Sequence, residues 1–279
     1  MNNLKTVILL GTMTGLFLLV GGMAGGETGM LIAFVFAAIM NVGAYWFSDK
    51  IVLRTYKAVE LPEKDFPHIY RMVSRLTTKA EIPMPKVYIL NQDSPNAFAT
   101  GRNPANSAIA LSRGIIDLMS DKEIEGVIAH ELTHIINRDT LISTAAATIS
   151  GAIMFLAYQM RWFAILGGGR DDDDNGGIFG LILMAILAPL AATVIQMAIS
   201  RSREFKADSG AAHLTHNPEG LASGLQKLGQ YSKRIPMKAT KQTAHMFIVN
   251  PFSGKSLLKI FSTHPPIEER VARLRAMQF

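Results

Sequence analysis

Four long stretches without a charged side chain constrain the fold of this 279-residue chain more than any other feature of its sequence. They are Thr6–Ala24, Gly29–Phe47, Leu141–Met160 and Gly177–Ile199. A helix rises 1.5 Å per residue, so about 20 apolar residues cross the roughly 30 Å hydrocarbon core of a bilayer. Each stretch has about that length, and the sequence therefore predicts a mainly α-helical membrane protein with four transmembrane helices.

The four stretches group into two predicted hairpins. Gly25–Thr28 is a turn-like sequence between the first two, and Tyr45–Phe47 is typical of an aromatic anchor at the membrane surface. A cleaved signal peptide ending near Gly22–Gly26 is the alternative interpretation of the first stretch. The third stretch is rich in small residues, which favour close helix packing in a membrane but also suit a buried helix of the domain outside it.

The charge distribution agrees with a membrane protein. Only 18% of residues are charged, against about 25% in an average soluble domain. Residues 48–140 hold 12 Lys/Arg and 12 Asp/Glu, whereas residues 200–279 hold 13 and 5. The basic excess thus follows an apolar stretch, where membrane topology explains it, and no recognition motif accompanies it. We therefore predict contact with a lipid bilayer and no nucleic-acid partner.

The basic residues also orient the chain in the membrane. Of 28 Lys/Arg, 26 fall on the side of the two termini, and Arg161 and Arg170 fall on the other. Because cytoplasmic segments carry the excess of Lys/Arg, both termini are predicted to be cytoplasmic. Asp171–Asp174 lies on the far side, and its spacing does not fit an EF-hand, so it is interpreted as a solvated loop.

These boundaries divide the chain into four parts. Residues 1–47 are predicted to form a transmembrane hairpin, 48–140 the first part of a cytoplasmic α+β domain, 141–199 a second transmembrane hairpin, and 200–279 the second part of the α+β domain. The chain has no cysteine. Disulfides, thiolate metal ligands and a cysteine nucleophile are therefore excluded, which leaves His, Asp and Glu as metal ligands.

Local patterns predict the helices and strands of the cytoplasmic α+β domain. Lys64–Ala80 has helical periodicity, and Val87–Leu90 and Ser107–Leu111 are predicted to be strands. The segment between the two strands, Pro95–Gly101, is interpreted as a loop or an exposed edge. Ser120–Glu123 has the form of a capping box and opens the next helix.

That helix carries the sequence His130-Glu131-Leu132-Thr133-His134, which is an HExxH motif. Positions i and i+4 share one helical face, so both imidazoles can bind one metal ion. Glu131 can point to the water that zinc would activate and take its proton. The motif therefore predicts one Zn²⁺ per subunit, bound by His130 and His134, with Glu131 as the catalytic base. The cytoplasmic α+β domain, residues 48–140 and 200–279, is thus predicted to be a zincin-like catalytic domain.

The third ligand determines the subclass of zinc site. A metzincin would need a glycine and a histidine where this chain has Asn137 and Thr140, so that subclass is excluded. A glutamate from a later helix is the usual alternative. Glu204 and Asp208 lie four residues apart, and we expect Glu204 to bind zinc and Asp208 to accept the other N–H of a ligating imidazole. His213 and His216 remain rival ligands.

Four motifs in this order resemble the HtpX-type membrane metallopeptidases, relatives of the CAAX prenyl endoproteases. They are the HExxH motif, Glu204–Asp208, Asn96–Ala99 and Ser262–Pro266. The resemblance covers nearly the whole chain, including the two hydrophobic hairpins. It implies a multi-pass zinc metalloendopeptidase of the bacterial inner (plasma) membrane that degrades misfolded or damaged membrane proteins in the stress response.

The resemblance also implies roles for site residues. It assigns His130, His134 and Glu204 as ligands and Glu131 as the base. Asn96, Ala97 and Phe98 would border the cleft, where an extended substrate could add to a sheet edge, unless this segment is an ordinary turn. His264 would donate to the oxyanion of the tetrahedral intermediate, or else only begin a helix before Pro265 and Pro266. Arg270 is the rival donor, interpreted mainly as structural.

Two other functions remain open. One is a dedicated peptidase that processes a specific membrane or prenylated substrate, although four spans are fewer than the CAAX enzymes have. The other is an inactive membrane scaffold, which the presence of all three ligands and Glu131 disfavours. The sequence gives no substrate preference and no oligomeric state.

Overall fold

The computed structural model describes residues 2–167, 200–231, 234, 240, 242–249 and 265–279. Side chains of the helix that ends at Gly167 are described as far as Met154. The predicted span Gly177–Ile199, the Asp171–Asp174 loop and His264 lie outside the described residues. The described helices and strands are α1 (Asn2–Thr55), β1 (Val59–Glu60), α2 (Pro67–Lys79), β2 (Lys86–Leu90), β3 (Ala97–Asn103), β4 (Asn106–Ser112), α3 (Arg113–Leu118), α4 (Asp121–Ile136), α5 (Asp139–Gly167), α6 (Arg201–Thr215), α7 (Pro218–Tyr231) and α8 (Ile267–Arg275).

Helix α1 is two helical arms joined at a sharp kink. Gly25 and Gly26 leave the helical conformation, and Gly26 has φ +58°, which glycine adopts without a steric penalty. The arms contact each other, because Asn41 Nδ2 in the second donates to Thr14 Oγ1 in the first at 2.9 Å. The predicted turn between the first two apolar stretches is therefore confirmed.

Among the described residues, Gly25–Thr55 is the helix long and apolar enough to cross a membrane, and Thr6–Leu19 is a shorter apolar helix. Only 11% of the most apolar part of Gly25–Thr55 is buried within the chain. Its outward side chains include Leu31, Ile32 and Ile39, each about two-thirds exposed at 64, 65 and 66%. A helix that leaves so much apolar surface uncovered fits a lipid environment.

Helix α5 packs along α1 through small residues. Ala145 and Ala146 of α5 are buried against Leu9 and Met13 of the first arm, and Ala44 of the second arm lies in the same cluster. Small side chains let two helices approach closely. Burial of this first half of α5 fits both interpretations of the third apolar stretch, and whether residues 141–160 span a bilayer stays a prediction.

A four-stranded sheet in the order β1-β2-β4-β3 forms one wall of the catalytic domain. Strand β4 pairs parallel with β2 and antiparallel with β3. The predicted strands Val87–Leu90 and Ser107–Leu111 are confirmed as β2 and β4. Strand β3 is at the sheet edge, one of the two interpretations of its segment, but it is buried rather than exposed from Ala97 to Gly101.

Helix α4 lies in the centre of the domain and is packed on nearly every side. It begins with the predicted capping box, in which the Ser120 backbone N–H and the Glu123 carboxylate are 2.8 Å apart. Two glycines permit close packing against it. An added Cβ at Gly126 would lie 2.6 Å from the backbone nitrogen of Leu221 in α7, and one at Gly210 in α6 would overlap the side chain of Thr133.

Candidate metal centre

Helix α4 presents two histidines to one point, as the i, i+4 spacing predicts. The Nε2 atoms of His130 and His134 are 3.2 Å apart. His130 is 1% exposed, and the side chain of His134 is 15% exposed. At this separation both nitrogen atoms can bind the same metal ion.

Helix α6 brings Glu204 to the same point. Its carboxylate oxygens lie 3.5 Å from His134 Nε2 and 3.7 Å from His130 Nε2. Zinc binds nitrogen and oxygen ligands at about 2.0–2.2 Å in a tetrahedron, so neighbouring ligand atoms stand about 3.3–3.5 Å apart. The three observed separations are close to that spacing. These residues therefore fit a metal ion with one coordination position left open.

Glu131 lies beside the three candidate ligands and faces strand β3 at the edge of the sheet. It is 2% exposed and lines the same cleft as the three candidate ligands. Burial raises the pKa of its carboxyl group to about 7, and the charge of Glu204 adds to this effect. The backbone N–H of Ala99 in β3 acts in the opposite direction as a hydrogen-bond donor to the carboxylate.

His130 is supported from behind by Asp208 and Arg270. His130 Nδ1 lies 3.0 Å from Asp208 Oδ1. A carboxylate there keeps the ring proton on Nδ1 and leaves the Nε2 lone pair for a metal. Arg270, which is fully buried, donates to both oxygens of Asp208 at 2.7 and 2.8 Å and to the Ile248 carbonyl at 3.0 Å.

The protonation state of these groups follows from burial and charge. Burial lowers the pKa of His130 to about 4, although Asp208 opposes the effect. Burial would raise the pKa of Asp208, but Arg270 and His130 hold it at about 2. Asp208 is therefore ionised and His130 neutral near pH 7, which is the state in which an imidazole binds a metal.

His134 is supported by Asp139, the first residue of α5. His134 Nδ1 lies 3.0 Å from Asp139 Oδ2. The other Asp139 oxygen lies 3.9 Å from Nε of Arg203. Burial alone would lower the pKa of His134, but Asp139 and then the charges of Glu204 and Glu131 raise it to about 9. So many carboxylates around one imidazole favour a cation at this place.

Comparison with known proteins places this geometry in a family. The sequence pattern of "Peptidase family M48" matches residues 63–278. The chain belongs to peptidase family M48. Across the described residues, His130, His134 and Glu204 are the group of three or more His, Asp and Glu whose ligand atoms could share a metal ion. Family membership and this cluster together support a membrane metallopeptidase.

Relatives of similar length are close in sequence. "Protease HtpX homolog" of Desulforapulum autotrophicum is 54% identical over 276 residues, which is 98% of this chain and 89% of that protein. "Protease HtpX" of Legionella pneumophila is 50% identical, with 99% of each chain covered. The resemblance to the HtpX-type peptidases, inferred above from four motifs, is confirmed.

A solved structure shows the same fold. The crystal structure of S. mikatae Ste24p superposes with a TM-score of 0.54 over 98% of this chain, at 18% sequence identity. The M48 chain described here spans 65% of the length of that structure. The comparison supports the fold, which is mostly helical with a small sheet.

The structure does not bring every proposed residue to the cleft surface. Asn96 is 1% exposed and donates through Nδ2 to the Val249 carbonyl, and Phe98 is fully buried with its ring against Phe247. Ala97 is also buried, and its carbonyl accepts the Ile248 N–H. These residues hold the sheet edge in place, and a direct contact between their side chains and a substrate stays a prediction.

The remaining histidines differ in position. His213 and His216 lie at the far end of α6, with their rings near Phe279, and do not join the cluster. His264 lies outside the described residues. His245 was not identified from sequence. It is buried in the wall of the cleft, with Nε2 3.0 Å from the Ser143 carbonyl.

Asp139 and Arg203 are the other site residues that the sequence analysis missed. Asp139 follows His134 by five residues, so a pattern HExxHxxxxD was present in the sequence. The chain reverses there through Arg138, which has a left-handed φ of +57°. That reversal, which returns Asp139 to the histidine, is visible only in three dimensions.

Proposed function

We propose that this chain is a zinc-dependent endopeptidase of the bacterial inner membrane that hydrolyses peptide bonds of misfolded or damaged membrane proteins. One observation carries the proposal: the Nε2 atoms of His130 and His134 lie 3.2 Å apart and 3.5 to 3.7 Å from the carboxylate oxygens of Glu204, next to the buried carboxylate of Glu131. A His₂Glu set with an adjacent glutamate is the donor set of zinc peptidases.

In this proposal the ligands have defined tasks. His130, His134 and Glu204 hold one Zn²⁺, which when bound supplies Lewis acidity and lowers the pKa of water to about 7. Asp208 and Asp139 keep each imidazole proton on Nδ1, so both Nε2 lone pairs stay directed to the centre. Arg270 neutralises Asp208 and lies 3.8 Å from Glu204 Oε2, which limits repulsion between the two carboxylates.

Glu131 is the proposed general base and then general acid. Burial raises the pKa of its carboxyl group, so the carboxylate is a stronger base than that of an exposed glutamate. It accepts the proton as water attacks the peptide carbonyl and returns it to the leaving amine. The Ala99 N–H holds the carboxylate at the sheet edge, beside the place where a peptide would lie.

An extended substrate would add along the outer edge of β3. The Ala97 carbonyl at that edge already accepts the Ile248 N–H, so a substrate would pair beyond it, near Ala99 and Glu131. Asn96 and Phe98 would position the edge from behind. We propose His264 as a donor to the oxyanion, as its motif implies.

The membrane arrangement belongs to the proposal as well. The kinked pair of arms in α1, the apolar stretch Gly177–Ile199 and the distribution of Lys/Arg support two transmembrane hairpins with the catalytic domain in the cytoplasm. The two parts of the catalytic domain, 48–140 and 200–279, would then each leave the bilayer next to the metal centre.

Cleavage by purified protein tests the proposal. Full-length protein with zinc should cut an unfolded model protein, and Glu131→Gln should bind zinc but not cut. If Glu131→Gln cut at the wild-type rate, the assigned base would be wrong.

The new termini formed in membranes separate the two classes of peptidase. Membranes that contain wild-type protein should show scattered new termini in many membrane proteins, in comparison with membranes that contain Glu131→Gln. A few defined termini would instead show a dedicated processing peptidase.

A further inference from the structure

Arg203 is a buried cation in the wall of the catalytic cleft. It directly precedes Glu204 in α6 and is 8% exposed. Its side chain lines the same cleft as His130, Glu131 and His134. A charged side chain at that depth is rare unless it is paired or binds a ligand.

The hydrogen-bonding groups of Arg203 are not all used within the described part of the chain. Its Nε lies 3.9 Å from Asp139 Oδ1, which is beyond hydrogen-bond distance. Its Nη1 is buried and has no hydrogen-bond partner among the described residues. Leaving a buried donor without an acceptor has a cost in free energy, so such a donor in a cleft indicates a ligand.

The chemistry of a guanidinium limits what that ligand is. Arginine has five N–H donors and no acceptor, so the partner must offer oxygen. Asp139 and Glu204 already place two carboxylates beside Arg203 and offset its charge. A third carboxylate would meet repulsion from both, whereas a neutral amide carbonyl would not. The surroundings therefore favour a peptide carbonyl over a substrate's terminal carboxylate.

The position of Arg203 limits which carbonyl it reaches. Arg203 approaches Asp139, which contacts Nδ1 of His134, and Nδ1 is on the far side of the ring from the metal-facing Nε2. Arg203 thus lies to one side of the centre, beyond the imidazole of His134 and the carboxylate of Asp139. An extended peptide advances about 3.3 Å per residue, so a carbonyl near Arg203 belongs to a residue at least one position away from the cleaved bond.

We propose that Arg203 is a substrate-binding residue whose Nη1 donates a hydrogen bond to a backbone carbonyl of the bound polypeptide, at least one residue away from the cleaved bond. This inference rests on the proposed peptidase function and specifies how that site holds its substrate. A backbone carbonyl is present at every position of a chain, so this contact would strengthen binding without selecting a side chain.

The kinetic test compares Arg203→Met with Arg201→Met in full-length protein with zinc. Methionine keeps a long side chain but removes every donor. Arg201 is exposed in the same turn of α6 and is the matched control. Loss of one charged hydrogen bond to the substrate should raise KM for an unfolded model protein about tenfold while kcat changes less than about threefold. Arg201→Met should match wild type, and Arg203→Lys should recover part of the loss.

Three results would overturn the proposal. An unchanged KM would mean that Arg203 does not contact the substrate. A fall in kcat at constant KM would place its hydrogen bond on the transition state instead. Loss of bound zinc, or a lower Tm, in Arg203→Met would show a structural role beside Asp139.

A binding measurement separates this proposal from the peptidase function. A fluorescently labelled unfolded peptide is titrated into Glu131→Gln with and without Arg203→Met, and its anisotropy is recorded. We expect about tenfold weaker binding in the double variant. If wild type never cleaved any protein but this difference remained, the peptidase proposal would fail and the substrate contact would stand. Equal affinities would overturn the contact.

Discussion

Each histidine of the metal centre has an aspartate behind it and an arginine beside that aspartate. We call Asp208–Arg270, behind His130, the tight pair and Asp139–Arg203, behind His134, the open pair. Behind the first histidine, Arg270 makes hydrogen bonds of 2.7 and 2.8 Å to Asp208. Behind the second, Arg203 Nε stands 3.9 Å from Asp139 Oδ1. Both aspartates lie 3.0 Å from their imidazole, so the two supports differ in their arginines.

The difference follows from where each support comes from. Asp208 and Arg270 lie on α6 and α8, so their ion pair joins two helices behind α4, and Arg270 also holds the Ile248 carbonyl. Asp139 belongs to the helix that directly follows α4 and needs no partner to reach its histidine. We therefore expect the tight pair to stabilise the fold. In the open pair, we expect Asp139 to support metal binding and Arg203 to contact the substrate.

The largest expected effect is on stability, when the tight pair is broken. Asp208→Asn leaves Arg270 buried without its carboxylate, which should lower the free energy of unfolding by about 3–5 kcal/mol. Thermal unfolding in detergent, with chelator present so that metal binding does not contribute, measures this loss. Adding Arg270→Met should recover part of it. Asp139→Asn, measured in the same way, should lose much less, and equal losses would contradict the comparison.

The open pair should matter more for metal affinity than for folding. Asp139→Asn weakens the acceptor that orients His134, and we expect about 10–100-fold weaker zinc binding. Competition with a fluorescent chelator gives the Kd. Asp117→Asn, which changes an exposed carboxylate on α3, is the control and should keep the wild-type Kd. An unchanged Kd in Asp139→Asn would show that His134 is oriented by other contacts.

Helix α6 carries Arg203 of the open pair, the ligand Glu204 and Asp208 of the tight pair, so its distance from α4 should matter for the whole metal centre. Gly210→Ala overlaps the side chain of Thr133 and should lower the unfolding free energy by about 1–3 kcal/mol. Thr133→Ala should reduce this cost when the two are combined. Gly224→Ala meets only ordinary contacts, of 3.4 Å and more, and should be neutral or slightly stabilising. Additive effects of Gly210→Ala and Thr133→Ala would contradict this contact.

Glu123 provides a smaller, pH-dependent reference away from the metal. Burial alone would raise its pKa, but hydrogen bonds from Lys227, Ser223 and Ser120 lower it to about 2 from 4.5. A depressed carboxyl pKa stabilises the fold above pH 4.5, and this contribution is lost as the pH falls toward 2.

Between pH 5.5 and 3, the free energy of unfolding should therefore fall by about 1–2 kcal/mol less in Glu123→Gln than in wild type. Thermal unfolding of both proteins across that range measures the difference. Parallel curves for the two proteins would show that Glu123 is not stabilised by ionisation.

The sequence predicted the directly ligating residues better than their supports. Helical spacing alone places His130 and His134 together, and the same i, i+4 rule links Glu204 to Asp208. Asp139 was not predicted as a site residue because it follows Arg138, which has a left-handed φ, and helical periodicity does not continue across such a turn. Arg203 was not predicted as a site residue because no local sequence pattern shows that a basic residue just outside an apolar stretch is buried.

The fold shows the same division. The capping box and the short apolar runs of β2 and β4 predicted their elements, since capping and packing leave local patterns. Strand β3 was ambiguous because its segment contains Pro95, Asn96 and Gly101, which are typical of turns, although Ala97 to Gly101 are all buried. The kink at Gly25 and Gly26 was predicted because glycine pairs interrupt helices in a recognisable way.

The zinc content of purified Glu204→Ala, compared with Glu131→Gln and wild type, tests the account of the metal centre most directly. The separations of 3.2 to 3.7 Å between the two histidine Nε2 atoms and the Glu204 carboxylate oxygens predict about one zinc per chain in wild type. Glu131→Gln should keep that zinc, because its carboxylate is assigned to proton transfer and not to the metal. Glu204→Ala should lose most of it. Equal zinc in Glu204→Ala and wild type, or loss of zinc in Glu131→Gln alone, would contradict the assignment of ligands and base.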